Sequence, residues 1–194
     1  MTSLIFATNN PNKVTEIQSL LIDQFHIISL AEAGIYKDIP EPYFTLEENA
    51  REKSNTIYQL TKQNCFAEDT GLEVAALNGA PGVLSARYAG EQKSASDNIK
   101  KLLINLKGNA NRQARFRTVV SLIINGKEYQ FEGTCNGRIA IAPEGKEGFG
   151  YDPVFIPDGA GKTFACMILP EKNKYSHRAK AVKKLIQFLN EFNR

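Results

Sequence analysis

The chain has 194 residues, 42% of them hydrophobic and 23% charged, a composition of soluble globular proteins that excludes disordered, fibrous and coiled-coil classes. Its 24 Lys plus Arg against 21 Asp plus Glu leave a net charge of +3, too small for the total to predict a nucleic-acid or membrane partner. The three cysteines, Cys65, Cys135 and Cys166, show no CxxC spacing and read as reduced core thiols. With no basic segment leading into a long apolar stretch, and no run of about 18 apolar residues, the expected location is the cytoplasm.

Ser3 to Ala7 reads as a strand, and a helix follows in which Val14, Ile17, Leu20 and Leu21 recur at helical spacing. Asn10 suits its N-cap and Pro11 its first position. Thr45 and Glu48 form a capping box for a second helix, whose stripe runs through Leu46, Ala50, Ile57 and Leu60. Lys53 falls on that stripe, either snorkelling to solvent or aiming an ammonium into a cleft. Cys65 to Glu68 resembles a buried strand ending at Asp69-Thr70-Gly71, with another strand over Leu72 to Leu77 and a turn at Asn78 to Gly82.

Ser96 can cap a helix carrying Ile99, Leu102, Leu103 and Leu106. Asn125-Gly126 between Phe116–Ile124 and Glu128–Cys135 is a strong hairpin signal. A strand over Arg138 to Ala142 precedes a loop shaped by Gly148-Phe149-Gly150-Tyr151-Asp152-Pro153. The last helix is expected after a Ser176 cap, burying Val182, Leu185, Ile186, Leu189 and Phe192. Irregular alternation of helices and strands predicts an α/β class with a mixed sheet in one domain, residues 1–194, without a linker.

Three constellations can carry chemistry. Thr8-Asn9-Asn10-Pro11-Asn12-Lys13, between strand and helix, reads either as a phosphate cradle built on free N–H groups, the helix dipole and Lys13, or as a well-capped turn. It lacks the glycines of a Walker A loop. The acids Asp38, Glu41, Glu47 and Glu48, with Glu68-Asp69, are either solvated or hard oxygen donors; with two histidines in the chain, Mg²⁺ suits them better than zinc. In the basic stretch Glu171 to Lys184, most cations suit a solvated face. Ser176-His177-Arg178 differs, because a cation at a helix start opposes the dipole and calls for a compensating anion or carbonyl. A serine-histidine hydrolytic triad is unsupported, since no GxSxG occurs.

Taken in order, these segments resemble the inosine triphosphate pyrophosphatase family, over almost the whole chain. The matching pieces are Thr8-Asn9-Asn10 with Lys13, Glu48-Asn49-Ala50 with Lys53, Glu68-Asp69-Thr70-Gly71, Ala80-Pro81-Gly82 with Ser85-Ala86-Arg87-Tyr88, Gly148 to Pro153, Lys172, and Ser176-His177-Arg178. The resemblance implies a two-lobed α/β fold with a long central mixed sheet, a nucleotide cleft between the lobes, a homodimer, and Mg²⁺-dependent hydrolysis of ITP, dITP and XTP to monophosphate and pyrophosphate. It implies that Glu41 and Asp69 hold the metal, with Glu68 a second-rank ligand, and that Asp69 accepts a proton from water. Thr8, Asn9, Asn10, Pro11, Asn12, Lys13, Lys53 and Lys172 would bind the triphosphate, with Thr70 also on the substrate. Phe149, Gly150, Tyr151, Asp152, His177 and Arg178 would enclose the base, Arg178 donating to the purine O6. Asn12 stands where many bacterial members carry glycine, and asparagine tolerates a positive φ best among the other residues. The competing readings are a nucleotide pyrophosphatase with another base preference, and a non-catalytic nucleotide or nucleic-acid binding module using Arg112 to Arg117 and Lys172 to Lys184.

Overall fold

The computed structural model describes residues 2–21 and 25–192. In chain order the elements are β1 (Thr2–Phe6), α1 (Pro11–Gln18), β2 (Phe25–Ser29), α2 (Leu46–Thr61), β3 (Cys65–Val74), β4 (Pro81–Gly82), α3 (Ala95–Asn105), β5 (Gln113–Ile124), β6 (Lys127–Ile139), β7 (Phe155–Pro157), α4 (Leu169–Lys172) and α5 (His177–Phe192). Among the described residues the strands form one mixed sheet in the order β2-β1-β3-β5-β6-β7, with β4 paired to β3. β1 runs parallel to β2 and β3, while β3–β4 and β6–β7 are antiparallel.

Two compact units share the chain: residues 1–69, 118–133 and 178–194 make the first, and residues 70–117 and 134–177 the second. The chain passes between them inside β3, β5 and β6 and at the start of α5, which is why the sequence carries no linker.

In the first unit, side-chain alternation along the strands separates two cores. Leu4, Phe6 and Phe66 meet Ile17 of α1 and Ala181, Val182, Leu185 and Leu189 of α5. Ile5, Ala7, Cys65 and Ala67 meet Ile57 of α2. The register pairs Phe6 with Phe66, and their rings stack with centroids 4.5 Å apart. The sheet is thus covered on both faces here, as parallel strands require. The second unit has one core, built from Leu72, Ile99, Leu102, Phe116, Tyr151, Phe155 and Phe164 among others.

Several sequence expectations change. Cys65–Glu68 and Leu72–Leu77 are not two strands: β3 runs unbroken through Asp69-Thr70-Gly71 to Val74. Gly71 serves close approach rather than a turn, since a Cβ there would lie 2.7 Å from the Gly82 carbonyl oxygen of β4. Arg138 and Ile139 belong to β6. Ser94, not Ser96, caps α3, its Oγ accepting from the Asp97 N–H at 3.3 Å. Leu60 and Phe192, drawn onto buried stripes, are exposed, and so is Cys166. The Asn125-Gly126 hairpin forms as expected, both residues at positive φ.

Candidate active site

Adjacent residues of a strand point to opposite faces, so the neighbours Glu68 and Asp69 at the centre of β3 meet different helices. The Glu68 side chain follows Phe66 toward α1 and α5. There it is fully enclosed, receiving Arg178 Nε at 2.8 Å and Nη2 at 2.9 Å, and Lys13 Nζ at 3.1 Å. Arg178 also donates through Nη1 to Glu16 of α1. Burial alone would raise the Glu68 carboxyl, but the charges of Arg178 and Lys13 and their hydrogen bonds outweigh it and hold the group well below the usual range. Arg178 is buried and shifted upward: burial opposes its charge, and Glu68 and Glu16 more than compensate.

Asp69 follows Ala67 toward α2 and meets Lys53, whose Nζ donates to Asp69 Oδ1 at 3.1 Å and to Glu41 Oε1. Asp69 is 6% exposed, and its second oxygen, Oδ2, is buried with no hydrogen-bond partner among the described residues. Such an atom costs stability unless something else occupies it in function. Burial raises the Asp69 carboxyl, the nearby Glu41 charge adds to this, and Lys53 and Lys13 offset only part of it. Lys53 is raised, Asp69 and Glu41 overcoming a burial that would lower it. The lysine on the α2 stripe therefore points inward at two carboxylates rather than snorkelling.

Among the described residues no three or more His, Cys, Asp or Glu side chains gather into a metal-binding group. Glu41 and Asp69, joined through Lys53, are two hard carboxylates, and Asp69 Oδ2 is the open donor. Two carboxylates completed by phosphate oxygens and water are what Mg²⁺ favours. Glu68, expected as a second-rank ligand, faces away from this pair because of the strand pleat and is taken up by Lys13 and Arg178. Likewise Arg178, expected to donate to a purine, is a counter-ion for Glu68 and Glu16: the anion its helix start called for comes from the protein.

The segment Thr8 to Lys13 folds as the capped turn. Asn10 Oδ1 accepts from the Asn12 and Lys13 N–H groups at 2.9 and 3.3 Å, and Pro11 has no N–H to offer. Thr8 Oγ1 accepts from the Asn10 N–H at 3.2 Å, and Asn9 donates to Asp38 at 3.0 Å. Asn12 lies in the first turn of α1, not in a left-handed conformation. An anion here meets the Lys13 ammonium and a dipole already capped by Asn10.

In the second unit, Asp152 and Lys172 form a buried ion pair. Asp152 Oδ2 also accepts from the Phe149 N–H at 2.8 Å, and the Lys172 ammonium lies 5.2 Å from the Phe149 ring centroid and 5.3 Å from that of Phe164. Gly148, at φ +71°, makes this turn possible: a Cβ there would fall 2.0 Å from Asp152 Oδ2. Tyr151 donates to the Ser85 carbonyl at 2.9 Å, and burial raises its hydroxyl. His177 stacks on Phe116 with centroids 4.5 Å apart. Gly150 takes φ +62° within this loop, and Thr70 is half-buried on β3. Of the basic stretch, Lys172 and Arg178 are buried, whereas Lys174, Lys180, Lys183 and Lys184 are exposed as a solvated face.

Sequence reasoning missed Glu16, although a carboxylate three residues after Lys13 on one helix face was a usable signal. It also missed Phe116, placed only at the start of a strand, beneath His177, and Phe164 beneath Lys172.

Residues 4–188 match the Ham1 family. The dITP/XTP pyrophosphatase of Flavobacterium johnsoniae is 51% identical over 186 residues, covering 96% of this chain and 97% of that protein. The Ham1 protein structures of Staphylococcus aureus (TM-score 0.89, 38% identity, 98% and 99% of the two chains) and Coxiella burnetii (0.90, 37%, 98% and 100%) share the fold. This chain belongs to the Ham1 family, and the expected α/β architecture with a mixed sheet is borne out. Among the described residues no helix is long and apolar enough to cross a membrane.

Proposed function

We propose that this protein hydrolyses non-standard purine nucleoside triphosphates, dITP and XTP with ITP, to the monophosphate and pyrophosphate, with Mg²⁺ held by Glu41 and Asp69. The observation that carries the reading is Asp69 Oδ2: a buried carboxylate oxygen without a partner, beside a lysine and a second carboxylate, in a chain whose relatives are named dITP/XTP pyrophosphatases. Water attacks the α-phosphorus, the bond to the bridging oxygen breaks, and pyrophosphate leaves. Asp69, whose Oδ2 has no hydrogen-bond partner among the described residues, takes the proton from that water. Mg²⁺, when bound, neutralises charge on the phosphate oxygens.

Lys53 keeps the two carboxylates adjacent and adds positive charge for the developing oxyanions, and Lys13 offers a second ammonium to the triphosphate. Phe149 supplies a stacking face for the purine, held by the Asp152–Lys172 pair. In this reading Arg178 acts through Glu68, fixing the strand that carries Asp69. The protein works in the cytoplasm as a homodimer, which solution mass checks.

The decisive experiment supplies dITP, XTP, ITP, GTP, ATP and a pyrimidine triphosphate with Mg²⁺ and identifies the products. Monophosphate and pyrophosphate from the first three, with poor turnover of the others, supports the reading; orthophosphate as the product, or equal rates on all bases, overturns it.

A further inference from the structure

Glu41 lies on the segment between β2 and α2, outside regular structure, yet its carboxylate must be held at one place to share a cation with Asp69. Lys53 holds the carboxylate itself. The main chain has a separate anchor. Asn49, fully buried on α2 one turn before Lys53, accepts from the Tyr43 N–H through Oδ1 at 3.0 Å and donates from Nδ2 to the Tyr43 carbonyl oxygen at 3.1 Å. One amide side chain thus clamps both polar groups of a single backbone residue.

Ile39 packs against the core on the α2 face before Glu41, but after it burial of side chains does little to hold the segment, because Tyr43 and Phe44 are 41% and 91% exposed. Between the clamp and Glu41 stands Pro42, with Pro40 on the other side. Proline fixes its own φ and biases the preceding residue to extended backbone, so Pro40-Glu41-Pro42 is a stiff unit. A clamp at Tyr43 therefore fixes the direction in which Glu41 leaves the chain. Residues 49 and 53, four apart, lie on one face of α2 and act on the same segment, one on its backbone and one on its acid.

We propose that Asn49 is the positioning residue for Glu41, setting the cation affinity of the Glu41–Asp69 pair through the backbone of Tyr43. This rests on the reading of those two carboxylates as the Mg²⁺ site. Asn49 touches no reacting atom in this account; removing it loosens Glu41 and leaves Asp69 and Lys53 in place.

The test compares Asn49→Ala, Glu41→Gln, the double variant, and Thr45→Ala, which removes the α2 cap far more than it affects Glu41. Mn²⁺ titration followed by electron paramagnetic resonance measures cation affinity without turnover, and amide hydrogen exchange measures protection across residues 41–45. Supporting partners of a metal ligand typically set affinity by about 10–100-fold. Asn49→Ala is expected to weaken Mn²⁺ binding about tenfold and to speed exchange at Tyr43. In the Glu41→Gln background it should weaken binding no further, while Thr45→Ala lowers the melting temperature and leaves Mn²⁺ affinity unchanged. Asn49→Leu, of similar shape and lacking both bonds to Tyr43, gives the same effects if Asn49→Ala does not fold. Losses from Asn49→Ala and Glu41→Gln that simply add, or unchanged Mn²⁺ affinity in Asn49→Ala when Glu41→Gln loses it, overturn the positioning role. If Glu41→Gln itself leaves Mn²⁺ binding intact, the cation-site reading falls and takes the affinity role with it.

Discussion

Glu68 and Asp69 are neighbours on one strand, both acidic and both buried, and the molecule treats them in opposite ways. On the α1–α5 face every need of the Glu68 carboxylate is met by fixed cations, so the group is ionised and immobile. On the α2 face Asp69 has one oxygen on Lys53 and one with no partner among the described residues. A saturated buried charge is a structural element; a half-saturated one is a place kept for chemistry. The difference between the two residues comes from the pleat of the strand and from which helix packs on each side.

The comparison can be broken most sharply at Asp69. Asp69→Asn should lower kcat by about 10²–10⁴-fold, the range of a lost general base, with an unfolding midpoint at or above that of the parent; near-normal turnover would remove Asp69 from the chemistry. Next in size is Glu68→Gln. Weakening one side of a buried pair typically costs about 3–5 kcal/mol, so urea denaturation should show a loss of that order, and a stable variant that has lost only kcat would place Glu68 in the chemistry instead.

Acid titration sharpens the contrast. The folded-state pKa of Glu68 lies below its ordinary 4.5, so its contribution is fully present above the unfolded value and is lost as pH falls below it. Stability measured from pH 5 downward should therefore drop, and Glu68→Gln should flatten part of that fall; an unchanged slope would mean that other acids carry it. The smallest effect belongs to Lys13→Gln. Lys13 is partly exposed and Arg178 still holds Glu68, so the expected loss is about 1 kcal/mol or less, read by the same denaturation; a larger loss would make Lys13 an equal partner in the saturated face.

Much of this is legible in the sequence. The Asn125-Gly126 hairpin, the Asn10 and Thr45 caps and the start of α5 depend on neighbours within a few residues, and they form where the sequence points. The demand for an anion near Arg178 was legible too, but not its source, since Glu68 and Glu16 lie 110 and 162 residues away along the chain. Thr70-Gly71 read as punctuation because a glycine looks the same in a turn and beside a closely approaching strand; only the pairing with Gly82 decides. With β3 cut there, the alternation that sends Glu68 and Asp69 to different faces is hidden, and nothing in the sequence opposes Glu68 as the second-rank ligand that the resemblance implies. β7 was missed because three residues carry too little period to detect.

The interleaving of the chain has a consequence for synthesis. The guanidinium that neutralises Glu68 is encoded 110 residues later. At roughly 5–20 residues per second, a nascent chain carries that carboxylate with Lys13 but without Arg178 for roughly 5–20 s. The core around Phe66 also takes Ala181, Val182, Leu185 and Leu189 from α5, so sealing the first unit is a late event, timed by the emergence of that helix.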